Sequence, residues 1–287
     1  MIPASFEYHA PQSVADAIHL LGELGSDAKL LAGGHSLLPM MKLRFAQPAH
    51  LIDLNRIDAL RGIREEGPAI VIGAMTVENE LIQSQLLQQK LPLLPEAARQ
   101  IGDPQVRNRG TIGGDIAHGD PGNDHPALSI ALDATFVLEG AKGRRQVQAD
   151  GFFQGTYMTD MAEDEVLVEI RMPAFAPKTG YAYVKLKRKT GDWATAAAAV
   201  VLRIDGGSVS HARIALTNVA PTALRAADAE AALLGKPLTD ATIADAAARA
   251  MAICDPAEDL RGDRDYKIAM TGQMVRRAIA KAAARCS

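Results

Sequence analysis

Cysteine is nearly absent: Cys254 and Cys286 are the only two in 287 residues, and they form no C-x-x-C pair. That excludes a disulfide framework, and it excludes a cysteine-ligated zinc or iron–sulfur site built from this chain alone. Any iron–sulfur chemistry must therefore reside on a partner. Aromatic residues are scarce at 4%, with Trp193 the single tryptophan, so each large ring is worth locating. No apolar run reaches the roughly 20 residues that a membrane-spanning helix needs. The start, Met1 to Tyr8, lacks the basic and apolar stretches of a secretory signal, and the expected compartment is the cytoplasm. A net charge of -3 offers no basic surplus for nucleic acid. Also missing are G-x-G-x-x-G, G-x-x-x-x-G-K-[ST] and G-x-S-x-G, along with any cysteine near a histidine. Rossmann, P-loop and nucleophile-elbow mechanisms are thereby unsupported.

What is present suits a globular protein of two or three domains, with 48% hydrophobic and 23% charged residues. Ser13 to Asp16 reads as a helix cap, with Val14, Ala17, Ile18 and Leu21 at helical spacing up to Gly25. Lys29 to Ala32 reads as a buried strand, Leu37 to Arg44 as a helix and His50 to Leu54 as a strand, which makes a β-α-β-like N-terminal unit. Further strands are expected at 70–73, 135–138, 166–170, 181–189, 195–204 and 208–216. Thr76 is a candidate cap for a helix through Gln83; Pro92 and Pro95 are read as breaks before a helix at 96–101, and another helix is expected at 126–132. Pro173 to Thr179 is the best linker. The last third is alanine-rich, with helices expected at 223–234, 239–252 and 265–284.

Two glycine pairs carry the main chemical signal: Ala32-Gly33-Gly34-His35-Ser36 and Thr111-Ile112-Gly113-Gly114-Asp115. Glycine tolerates positive φ and lets backbone amides converge closely on an anion. Two such loops imply a long anionic ligand such as a dinucleotide pyrophosphate, with Ser36 and Thr111 adding hydroxyl donors and His35 a ring donor. The segment His118 to His125 holds two histidines and acids, a tempting metal site. Pro121 and Gly122 interrupt it, and an acid there can instead hold ribose hydroxyls. Lys185, Lys187 and Lys189 alternate along the strand 181–189 and share one face with Tyr181 and Tyr183, either as a solvated face or as cations beside an electron-accepting ring. Trp193, in the turn from Thr190, is a core anchor or a cover for such a ring.

Together with Gly119-Asp120-Pro121-Gly122-Asn123-Asp124, the two glycine loops resemble the FAD-binding medium subunits of the xanthine oxidase family of molybdenum hydroxylases, in particular its carbon monoxide dehydrogenase branch. The likeness runs the whole chain. It implies an α+β protein with a vanillyl-alcohol-oxidase-type two-part FAD fold and a C-terminal antiparallel sheet with a helical cluster. The implied divisions are 1–56, 57–177 and 178–287. It further implies that both glycine loops hold FAD, with Asp124, Lys185, Ile101 and Leu167 at matching contact positions and Trp193 where a relative has a tyrosine near the flavin ring. Molybdenum cofactor with copper would lie on a large subunit and two [2Fe-2S] clusters on a small one, in a dimer of heterotrimers. FAD would pass electrons to an acceptor such as a quinone, in the cytoplasm with association to the inner membrane face through the complex. The rivals are another molybdenum hydroxylase's flavoprotein, a stand-alone FAD oxidoreductase of this fold, and a non-enzymatic nucleotide-binding or assembly module.

Overall fold

The structure, a computed structural model, describes residues 1–286. Three sheets follow one another along the chain. In the first, β1 (Glu7–His9), α1 (Val14–Leu24), β2 (Ala28–Leu31), α2 (Leu37–Lys42) and β3 (His50–Asp53) form a parallel sheet of order β1-β3-β2. The Ser13 side chain accepts from the Asp16 amide, as the cap pattern requires, and α1 buries Ala17 and Leu21. The edge strand β1 was not anticipated, because three largely exposed residues carry no periodicity.

The second sheet is antiparallel, of order β4-β5-β10-β6-β7, built from β4 (Ile63–Glu66), β5 (Ala69–Gly73), β6 (Thr135–Gly140), β7 (Gly143–Gln148) and β10 (Val166–Pro173). A small hairpin, β8 (Phe153–Gly155) with β9 (Met158–Thr159), stands beside it. Between β5 and β6 run six short helices: α3 (Glu78–Gln83), α4 (Gln85–Lys90), α5 (Leu93–Ala98), α6 (Pro104–Arg107), α7 (Ile112–His118) and α8 (Asp124–Ala131). Three expectations need correction. Thr76 does not cap α3; its hydroxyl pairs with the backbone of Gly62, and Val77 takes the cap position. Pro95 does not break the chain but sits buried in the first turn of α5, where its missing N–H costs nothing. Helix α8 starts two residues earlier than expected, at Asp124, which places that carboxylate in its first turn.

The third sheet, β11 (Thr179–Leu186), β12 (Ala196–Asp205), β13 (Ser208–Thr217) and β14 (Leu224–Arg225), is antiparallel in that order. It is followed by α9 (Ala227–Leu233), α10 (Asp240–Ala252) and α11 (Arg264–Ala283). Residues 224–225 form β14 rather than the start of the expected helix, and β11 stops before Lys187, which leaves Lys189 in a turn. The alanines of β12 are explained by burial on both faces. Ala197, Ala199 and Val201 join the core of the second unit, while Ala196, Ala198 and Val200 pack under α10 and α11. Small side chains let the helices approach closely. Among the described residues no helix is long and apolar enough to cross a membrane.

Gly180 marks the tightest of these approaches: a Cβ there would lie 2.5 Å from Cys286 Sγ and 2.9 Å from the Ala282 carbonyl carbon. Gly22, in α1, faces open space. Gly180→Ala is therefore expected to lower stability by about 2 kcal/mol through overpacking, whereas Gly22→Ala should raise it by up to about 1 kcal/mol through helix propensity. Thermal melts of the two variants check the opposite signs.

Candidate FAD site

The two glycine loops meet. A Cβ on Gly33 would fall 2.9 Å from Gly110 Cα, against the Arg109 carbonyl, and one on Gly114 would lie 3.2 Å from Ala32 Cβ. The first loop thus packs backbone to backbone on the chain entering the second. Gly113 makes an equal approach to Ala74, 2.5 Å from its Cβ. Only Gly34 of the four has positive φ, at 78°. Conformational freedom therefore explains Gly34, and close approach explains the other three.

The loops differ in what they offer. Ile112 N–H donates to Thr76 O, Gly113 N–H to Ala74 O, Gly114 N–H to Thr111 Oγ1 and Asp115 N–H to Thr111 O. The second loop is the capped start of α7, so its amides are taken by protein acceptors, contrary to the expectation that both loops offer amides to an anion. Among the described residues no protein acceptor takes the N–H groups of Gly33, Gly34, His35 or Ser36 at the start of α2. Four unpaired, adjacent amide donors ahead of a helix suit a pyrophosphate. The His35 ring turns back, with Nδ1 3.1 Å from Gly33 O.

A hydrogen-bonded line supports the first loop from below. Tyr8 donates to Asp53, Asp53 accepts from the Asn55 amide and side chain, and Asn55 Nδ2 donates to Ala32 O at 2.9 Å. Burial acts to raise the Asp53 carboxyl, but the hydrogen bonds from Tyr8 and Asn55 outweigh it and hold the carboxyl below its ordinary value. Nothing in the local sequence marks the line, since Tyr8 lies 45 residues from Asp53 and Ala32 lies 23 from Asn55.

A second line runs from the glycine loop to the third sheet. Asp115 accepts from Asn123 Nδ2 through its carbonyl and from the His125 amide through its carboxylate. Asp124 accepts from Lys185 Nζ at 2.7 Å and from the Tyr183 hydroxyl, with the Lys185 side chain only 2% exposed. Burial, reinforced by the Asp124 charge, pushes the Tyr183 phenol far up. Lys187 donates to Gln100 O, next to Ile101, whose carbonyl accepts from Arg107. Trp193 stands half-exposed, with Nε1 3.4 Å from Asn123 Oδ1 and the Arg261 guanidinium 5.6 Å from its ring centre. Arg261 and Arg188 both pair with Asp192 and fix that turn. Leu167 alone stands apart from these polar groups, buried in the core on β10.

His118, Asp120, Asp124 and His125 do not converge as a metal site. His118 packs on Tyr157, Asp120 accepts from the Gly122 amide, and His125 lies fully buried with Nε2 2.8 Å from Glu78 Oε1. This pair spans 47 residues and was not visible from sequence. Burial alone lowers the His125 value, but Glu78, with Asp115 and Asp124 beyond it, reverses this and carries it up to about 9. Burial and the Glu78 charge push Asp115 up to about 7.

A family model described as FAD binding domain in molybdopterin dehydrogenase matches residues 4–175, and one described as CO dehydrogenase flavoprotein C-terminal domain matches 181–282. The chain belongs to the FAD-binding family of the molybdopterin dehydrogenases. It is 72% identical, over 100% of both chains, to a carbon monoxide dehydrogenase medium chain of Hydrogenophaga pseudoflava, and 53% identical, over 99% of both, to the medium chain from Afipia carboxidovorans. A solved structure of carbon monoxide dehydrogenase from Hydrogenophaga pseudoflava superposes with a TM-score of 0.99 at 74% identity, covering 100% of both chains.

His125 and Asp115 both hold protons more tightly in the folded chain, so each makes stability fall as pH rises. The His125 contribution is complete below about 6.5, its ordinary value, and is lost as pH rises through about 9. Melting temperature should drop across that window, and His125→Gln should flatten the slope.

Proposed function

We propose that this chain is the FAD-carrying electron-transfer subunit of a three-part carbon monoxide dehydrogenase. Carbon monoxide and water yield carbon dioxide, two protons and two electrons on a large molybdenum and copper subunit. The electrons cross two [2Fe-2S] clusters on a small subunit and leave through FAD on this chain to an external acceptor such as a quinone. The observation that carries this reading is full-length correspondence with two carbon monoxide dehydrogenase medium chains, at 72% and 53% identity. The scarcity of cysteine agrees with clusters held elsewhere. The proposed assembly is a dimer of heterotrimers in the cytoplasm, meeting the inner membrane face through the complex.

When bound, FAD supplies the exchange between paired and single electrons. The chain's own residues bind and orient it. In this reading the units 1–56 and 57–177 hold it and 178–287 closes the site. The amides of Gly33 to Ser36 would donate to its pyrophosphate, and Ala32 with the capped helix start Thr111 to Asp115 would form the wall beside it. Asp124 holds Lys185 in place as a fixed cation at the seam; Ile101, beside the Gln100 carbonyl that Lys187 bonds, and Leu167 are proposed as further contact positions. Trp193, half-exposed beside Asn123, would cover the cofactor's open side and limit water there.

Gly114→Val would push a side chain into Thr111 Oγ1 and Ala32. This variant and Gly33→Val should purify without flavin absorbance while Gly22→Ala retains it; full flavin occupancy in either would overturn the cradle assignment. The function itself is tested by co-expression with the two partner subunits. Carbon monoxide should bleach the flavin band of the assembled complex and leave that of the isolated chain unchanged. Flavin reduction in the isolated chain by its own organic substrate would instead establish a stand-alone oxidoreductase.

A further inference from the structure

Away from the cradle, the parallel pairing of β1 with β3 sets Glu7 opposite His50, and His9, two residues along, shares the face of Glu7. His9 Nε2 lies 3.1 Å from His50 Nδ1, and Glu7 Oε2 lies 3.6 Å from the same Nδ1. One donor atom from each of the three residues falls within 4.8 Å of the others. Zinc–ligand bonds of about 2.0–2.1 Å at the tetrahedral angle set donor separations of about 3.3 Å. The two shortest separations bracket that value. Both histidines are partly buried and Glu7 is exposed, so the fourth direction opens to solvent.

We propose that Glu7, His9 and His50 form a binding site for a divalent cation of zinc type, with water as the fourth ligand. Two imidazoles and one carboxylate are a ligand set that zinc accepts, and imidazole favours zinc, copper and nickel over magnesium or calcium. The cation would clamp a three-residue edge strand whose other face already carries the Tyr8–Asp53–Asn55 line to Ala32. Its effect is to brace the first glycine loop from outside, whatever the chain's redox role.

The test is calorimetric titration of zinc chloride into the EDTA-treated full chain, with cobalt chloride as a spectroscopic substitute. The expected result is one zinc per chain at micromolar Kd, a melting temperature raised by several degrees, and visible cobalt absorption of tetrahedral type. His9→Gln with His50→Gln should abolish the step, and Glu7→Gln, on an exposed side chain that leaves the fold intact, should weaken it by about tenfold or more. A wild-type chain without a saturable one-to-one step would overturn the proposal. So would unchanged affinity in Glu7→Gln together with the double variant, and the imidazole contact would then be a hydrogen bond only.

Discussion

Where two backbones touch without an intervening side chain, the geometry of everything nearby is set by that contact. Gly33 against Arg109 and Gly110 is such a place, and Gly113 against Ala74 is another. Interiors are packed too densely to absorb a methyl group there without moving a strand. The first parallel sheet and the second, antiparallel one are therefore held at a fixed separation by absent atoms. This separation decides that the unpaired amides of residues 33–36 open beside the capped turn of α7. The glycine pairs look alike in sequence yet differ: Gly33, Gly113 and Gly114 all remove bulk, and only the first pair leaves its amides unpaired among the described residues.

The same seam concentrates charge. Asp124, Lys185, Glu78 and His125 are buried, and a buried ion pair repays its desolvation only when its remaining lone pairs are met. Asp124 is well served, by Lys185 Nζ and the Tyr183 hydroxyl. The Glu78 and His125 pair is less complete, since Glu78 Oε2 and His125 Nδ1 find no protein partner among the described residues. Removing one member of such a pair costs about 3–5 kcal/mol because it strands the other. These pairs therefore fix position more than they add stability, and they link α3, α8 and β11 around one point.

How much of this was legible in the sequence depended on whether the signal was local. The Ser13 cap, the strand entering Gly33 and the last two alanine helices each lie within a few neighbouring residues and appear close to where expected, whereas residues 224–225 form β14 and the Thr111 segment opens α7. β7 reads Gly-Arg-Arg-Gln-Val-Gln and lies mostly exposed at the sheet edge, so no apolar alternation announces it. Pro95 reads as a breaker until its place in the first turn of α5 is known. Glu78 with His125 and Asn55 with Ala32 are contacts made by topology, with no trace in spacing. The family resemblance supplied Asp124 and Lys185 as cofactor neighbours, and their mutual ion pair appeared only in the structure.

If the first two units hold the cofactor, the third governs who reaches it. Trp193 stands on a turn of that unit, 51% exposed, and its posture depends on Asp192 being gripped by Arg188 and Arg261. Arg261 also faces the indole ring, so one guanidinium both anchors the turn and stacks on its aromatic cover. The C-terminal core that carries Arg261 is independent of the glycine loops, packed under α10 and α11. In the proposed reading binding and access are separable: changes around residues 33 and 113 would act on retention of the cofactor, and changes around 192 and 261 would act on how far its exposed side is screened. A relay subunit requires this separation, because its cofactor must stay bound through every cycle while electrons enter and leave.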